Sequence, residues 1–99
     1  MDTGTERLIR NDEAGRYELV IDGTVASFAD FTDTADGVRV FPHTVTDPVF
    51  RGRGLAAEVV RFALDDTRAA GRLVQPACWF VAEFIETNAD YGDLVAGRP

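Results

Sequence analysis

The sequence predicts an α/β domain built on a mixed α+β sheet. An antiparallel meander of three to four strands leads into one β-α-β unit, and a C-terminal helix follows. Three observations point there. Up to Thr46 the apolar residues fall in short β-rich runs separated by Asp-Gly dipeptides. From Leu55 the apolar period becomes helical and holds to Ala70. After Gly71, Leu73-Val74-Gln75-Pro76 reads as a short strand, and a second apolar helical run begins at Ala77.

Taken in order, Met1–Glu6 is polar and reads as loose. Arg7–Asn11 is a short edge strand, closed by the turn-forming residues Asn11 to Gly15. Arg16–Ile21 alternates, with Tyr17, Leu19 and Ile21 on one face of a half-buried strand. Asp22-Gly23 supplies the positive-φ pair of a tight hairpin, and Thr24–Phe31 returns. Asp36-Gly37 marks a second hairpin into one strand, Val38–Thr46, on which His43 shares a face with Phe41 and Val45. Pro48 cannot join a ladder, so the strand ends by Asp47-Pro48. Along Leu55–Ala70, Leu55, Val59, Phe62 and Ala63 face inward, while Glu58, Arg61, Asp65 and Arg68 form an alternating charge ladder that reads as a solvated face. Gly71 stands where a helix-ending glycine belongs. Ala77–Thr87 is a helix with Phe80, Val81, Phe84 and Ile85 inward. Strand, helix, strand implies a parallel pair joined by a right-handed crossover.

Composition narrows the function classes. The 99 residues make one domain spanning 1–99, and 45% hydrophobic residues with seven Phe provide a core. Net charge is −7, and all ten cations are Arg, so general nucleic-acid binding is not expected. One cysteine excludes an internal disulfide and suits a reducing compartment, which reads as cytoplasmic. Neither an apolar run of about 18 residues nor a charged-then-apolar leader is visible, so no membrane span and no signal peptide are expected. No His, Cys and carboxylate set has metal-ligand spacing, and no Gly-x-Ser-x-Gly elbow appears.

The informative stretch is "TVTDPVFRGRGLAAEVVRFALDD", residues 44–66. A β-rich run, a proline and a double-glycine turn lead into a helix. Gly52 and Gly54 let the chain turn tightly and bring amides near an anion, and the helix N-terminus adds the positive end of its dipole. Arg51 or Arg53 can add a charge-assisted contact. The functional reading is a pyrophosphate cradle at the end of the strand entering the crossover; the ordinary alternative is a tight loop whose glycines serve geometry alone. No Lys-Ser/Thr follows, so it is not the nucleoside-triphosphate pattern.

Val45-x-x-Pro48-x-x-Arg51-x-x-Gly54-x-Ala56 resembles the acetyl-coenzyme A motif of the Gcn5-related N-acetyltransferases. The ordered set "HTVTDPVFRGRGLA", "QPACWFVAEFIE" and "DYGDLV" is similar to a compact single-domain branch of that superfamily, with a Pro-x-Cys at the last helix. Trp79 stands where that branch often has Pro, and Asn88-Ala89-Asp90 replaces a His-Pro-Glu-like run. The resemblance implies a minimal acyl-CoA N-acyltransferase fold, acetyl-CoA as co-substrate, and an amine acceptor that is a small molecule or a protein. It implies pyrophosphate on the amides of Arg51, Gly52, Arg53, Gly54, Leu55 and Ala56. The pantetheine arm would run between the central strand and Leu73–Pro76, pairing with backbone near Val45. A non-catalytic CoA or acyl-CoA-binding module acting through a protein partner is the alternative.

Two side chains are catalytic candidates. Cys78 opens the last helix, where a thiol pKa can fall. It would accept the acyl group transiently, or polarise or protonate the departing thiolate; the ordinary alternative is a packed cysteine. His43, the single histidine, is a candidate general base, against a strand-end histidine bonded to backbone. Tyr91 reads better as an anchor for the tail than as an acid, and Trp79 as core or pocket wall.

Overall fold

The computed structural model describes residues 5–97. Its first two hairpins form where the turn residues sit. β1 (Glu6–Asn11) and β2 (Arg16–Ile21) pair antiparallel, and β2 pairs with β3 (Thr24–Asp30). Asp22 and Gly23 adopt φ of 50° and 82°, the pair of left-handed residues that a two-residue hairpin requires. Asp22 also accepts the Thr5 amide at 2.8 Å, so Thr5 is tied to the hairpin turn, and Glu6 begins the sheet. Residues 1–4 of the segment expected to be loose lie outside the described residues. β2 is covered on both faces: Glu18, on the face opposite Tyr17, is buried, with Arg16 Nε at 2.6 Å from its carboxylate and the Arg16 guanidinium over Phe28.

The expected single strand Val38–Thr46 is two strands. β4 (Thr32–Asp33) pairs with β5 (Val38–Val40), whereas β3 pairs with β6 (Thr44–Thr46). Between these ladders the register moves by one residue, across Phe41-Pro42-His43. Pro42 has no N–H to give the ladder, and the extra residue is accommodated as a bulge. The bulge breaks the expected alternation. Phe41 turns into the core, stacked on Tyr17 at 6.1 Å, while His43 is exposed.

The crossover follows. α1 (Leu55–Ala69) ends at Gly71, φ 72°, and the Arg72 amide reaches back to the Thr67 carbonyl at 3.1 Å, closing the helix as a left-handed glycine allows. β7 (Leu73–Gln75) then lies parallel to β5. The sheet orders are β1-β2-β3-β6 and β4-β5-β7. α2 (Trp79–Thr87) and a 3-10 turn (Ala89–Leu94) complete the chain. The fold is the expected mixed sheet with a parallel unit and a C-terminal helix.

The core lies between α1 and the sheet. Val59, Val60, Ala63 and Leu64 of α1 meet Tyr17, Leu19, Ala29, Phe41 and Val74, with Val81 and Ile85 of α2 alongside. Each fully buried Val, Leu or Phe of this set stabilises by roughly 1.5–3 kcal/mol. Under the β4–β5 end, Arg39 is buried and grips Asp33 through two bonds at 2.6 and 2.8 Å. It also donates to the Tyr17 hydroxyl, which donates to Asp66 of α1 at 2.7 Å. The charge ladder on α1 is not merely solvated. Arg68 binds Asp93 and the Asp90 carbonyl, Asp65 accepts the Tyr91 hydroxyl at 2.7 Å, and Arg61 lies over Phe84. These side chains tie down the C-terminal segment. No helix among the described residues is long and apolar enough to cross a membrane.

Candidate active site

The site begins where two strands part. β5 and β7 stay paired through Val40 and Gln75, and the Phe41 amide still reaches the Gln75 carbonyl at 3.0 Å. Beyond that, Pro42 and Pro76 remove donors from both chains, and the bulge carries β6 away. The last tie is the Cys78 amide, which donates to the Phe41 carbonyl at 2.8 Å. β6 therefore pairs only with β3, and its other edge is open.

Which groups line that edge follows from register. The Asp30 amide bonds the His43 carbonyl at 2.9 Å, and the Asp47 amide bonds the Ala26 carbonyl at 2.8 Å. Antiparallel alternation then turns the backbone of His43, Val45 and Asp47 toward β3, and that of Thr44 and Thr46 toward the open edge. The backbone on offer near Val45 thus belongs to its two threonine neighbours. The side chain of Val45 stands 45% exposed on the face away from α1.

Past β6 a 3-10 turn, Pro48–Phe50, is capped by Asp47, whose carboxylate accepts the Val49 amide at 3.0 Å. Arg51 to Gly54 follow in an exposed turn. Gly52 (φ 83°) and Gly54 (φ 72°, ψ 18°) are both left-handed, and an added Cβ on either would meet no protein atom within 4 Å. Neither glycine makes room for the protein's own atoms; the backbone conformation alone calls for them. Gly54 is the N-cap of α1 and gives no side-chain cap. The amides of Leu55, Ala56 and Ala57 donate to no carbonyl or side chain among the described residues. Arg51 and Arg53 are exposed, form no ion pair among those residues, and Arg53 lies 5.6 Å over the Phe50 ring. Uncapped amides, an open left-handed turn and two unpaired guanidiniums fit an anion such as a pyrophosphate.

At the other side of the open edge, Cys78 is the N-cap of α2 and is 9% exposed. Its Sγ lies 3.6 Å from Thr44 Oγ1. Burial pushes the thiol pKa up, but hydrogen bonding with the Val81 amide, the Thr44 side chain and the Phe80 amide outweighs it, and the net direction is down. His43 does not join this group. Tyr17, Ala29 and Thr44 stand opposite one another in register and so share the α1 face, whereas Asp30 and His43 form the next row on the other face. His43 Nδ1 lies 3.6 Å from Asp30, its side chain 72% exposed. Cys78 and His43 thus flank β6 from opposite faces, with no hydrogen bond between them, and the thiol's environment is set by helix amides and Thr44.

Tyr91 is buried, with its hydroxyl on Asp65, and burial followed by that carboxylate raises its pKa. It is the expected anchor. Trp79 is not core: it is 74% exposed, edge-on to Phe80. Sequence reasoning passed over Thr44 and Thr46 as site groups, because their edge position depends on the bulge at Pro42. A groove of about 410 Å3 between β1 and α1, lined by Leu8, Ala57, Glu58, Arg61, Phe62 and Asp65, meets the site only at Ala57 and holds neither Cys78, His43 nor the edge of β6.

The crossover is thus entered through an uncapped glycine turn, and strands part beside it. The family profile described as GCN5-related N-acetyl-transferase matches residues 16–94, nearly the whole chain. The protein belongs to that family, and its domain is of the acyltransferase type. A search of curated proteins finds no match to the chain.

Proposed function

We propose that the protein is an acetyl-CoA-dependent N-acetyltransferase acting in the cytoplasm on an amine. The observation that carries this reading is the open edge of β6, bordered at one end by the uncapped N-terminus of α1 and at the other by Cys78. Acetyl-CoA supplies an activated acetyl thioester. The amides of Gly52 to Ala56, with Arg51 and Arg53, hold its pyrophosphate, and the edge groups of Thr44 and Thr46 pair with the amides of its arm, as an added strand would. The net transfer forms a C–N bond, breaks the C–S bond, and releases the coenzyme thiol and one proton from a protonated amine. His43, beside Asp30, takes a proton from the acceptor. Cys78 sits among helix amides that favour its thiolate and serves the sulfur side of the exchange.

The test is calorimetric titration with acetyl-CoA, followed by transfer assays across an amine panel with wild type, Cys78→Ser and His43→Ala. Variants that bind but transfer slowly support catalysis. Tight binding by wild type with no transfer to any amine would leave a coenzyme-binding module acting through a protein partner. Absence of binding removes the proposal.

A further inference from the structure

We propose that β1 is a dimerisation strand. It pairs antiparallel with β1 of a second copy, about a two-fold axis at Leu8, and joins two four-stranded sheets into one. β1 is the edge of the sheet β1-β2-β3-β6, and its outer side has no partner strand among the described residues. Sheet edges are commonly blunted by a proline, a bulge or by being very short. Glu6–Asn11 has none of these devices: it is six residues long and pairs with β2 without a register shift.

The register decides the occupant. The Asp22 amide donates to the Thr5 carbonyl at 2.9 Å, so the backbone of Thr5, Arg7, Ile9 and Asn11 turns toward β2. That of Glu6, Leu8 and Arg10 turns outward, and these are the groups a new strand must meet. With the axis at Leu8, each Leu8 exchanges both its backbone bonds with its counterpart. Glu6 of either copy then exchanges both of its bonds with Arg10 of the other. An axis at Arg7 would set that arginine against itself, and one at Ile9 would set Glu6 against Asp12.

The side chains match in the same register. Glu6, Leu8 and Arg10 lie on the α1 face, since Leu8 stands opposite Leu19 and Arg10 reaches Asp66 at 2.7 Å. Leu8 is 37% exposed, over a groove whose apolar lining includes Ala57 and Phe62 of α1. Two such leucines meet at the axis. Glu6 forms no ion pair among the described residues, and it stands beside Glu58, whose pKa is raised by burial and then by Glu6. Arg10 holds Asp12 through Nε and Asp66 through Nη1, which leaves its Nη2 without a partner among those residues. Pairing sets Arg10 of one copy opposite Glu6 of the other, at both ends of the interface. The two Arg7 side chains lie on the other face, diagonally across the axis at roughly 7–8 Å, so they oppose pairing only weakly. An unrelated strand would have to supply this pattern by chance; a second copy supplies it by symmetry.

This edge-strand contact is smaller than the standard interface of about 1,600 Å2, so dimer and monomer are in equilibrium. Sedimentation velocity of the protein, from micromolar to near-millimolar concentration, should show a single monomer–dimer step. Hydrogen exchange at both ends of that range reads the register. The amides of Glu6, Leu8 and Arg10 should slow on dimerisation, while those of Arg7 and Ile9 stay as they are. Glu6→Arg faces Arg10 of the second copy and should raise the dissociation constant about tenfold. It also puts a cation beside Glu58, so the Tm of the monomer should not fall. Leu8→Lys sets two ammonium groups at the axis and should remove the dimer over the same range. A chain that stays monomeric at every concentration would overturn the proposal. So would association beyond the dimer, which marks head-to-tail pairing of β1 with the open β6 edge. Equal slowing of every β1 amide, or unchanged association in either variant, would overturn it as well.

Discussion

Replacing Gly54 by alanine separates what the glycine does for the fold from what it does for a ligand. Gly54 sits at φ 72° and ψ 18°, where an L-residue costs roughly 1–2 kcal/mol. An added Cβ meets no protein atom within 4 Å, so no steric term joins that strain. Gly54→Ala should therefore lower Tm by about 4–8 °C for each kcal/mol lost in a domain of this size. Gly54→Asn, which tolerates the left-handed region better, should lose less. Acetyl-CoA affinity should behave differently, because either side chain stands on the surface proposed to hold the pyrophosphate. Losing one charge-assisted amide contact of about 1.5–3 kcal/mol would weaken binding roughly ten- to hundredfold in both variants. Calorimetry and thermal melts on the same samples read the two effects. Both variants binding within about twofold of wild type, while Tm falls as expected, would refute the cradle and leave the glycines a purely local device.

Three further outcomes follow from named contacts. Asp33 is held below its ordinary carboxyl value of 3.8 by Arg39, and Asp66, pushed up by burial, is drawn below that value by Tyr17 and Arg10. Depressed folded-state values mean that this stability is present above the unfolded value and is lost as pH falls through the folded one. Melts should be flat above about pH 5 and fall below about pH 4, with a shallower acid limb in Asp66→Asn; the same limb in that variant would exclude Asp66 as a source. Tyr91→Phe removes the bond to Asp65 and should cost about 1 kcal/mol in a denaturant titration, with transfer rate unchanged; a large fall in kcat would instead make Tyr91 an acid. Thr44→Val removes the hydroxyl beside Cys78 and should move the pH profile of thiol alkylation upward, and an unmoved profile would show that helix amides alone set the thiol.

The sequence by itself determined every feature whose cause lies within a few residues. Asp22-Gly23 dictates a tight hairpin because few other pairs adopt two left-handed conformations in succession. The helical period from Leu55 and the stop at Gly71 set α1 to within a residue of the expected end. The glycine turn before it was legible for the same reason, since positive φ is a local demand. Tertiary structure decided what depends on partners far along the chain. Pro42 can signal that a ladder loses a donor, but only pairing with both β3 and β4 shows that the register slips there, turning Phe41 inward and His43 outward. That slip separates His43 from Cys78, presents Thr44 and Thr46 at the open edge, and leaves β7 paired with β5 and not with β6. The exposure of Trp79 and the docking of Arg68 and Asp65 onto the C-terminal segment are likewise set by how α2 sits against α1. Periodicity shows that a helix has an apolar stripe; it does not show which neighbouring element covers the rest, because that is fixed by packing between residues distant in the chain.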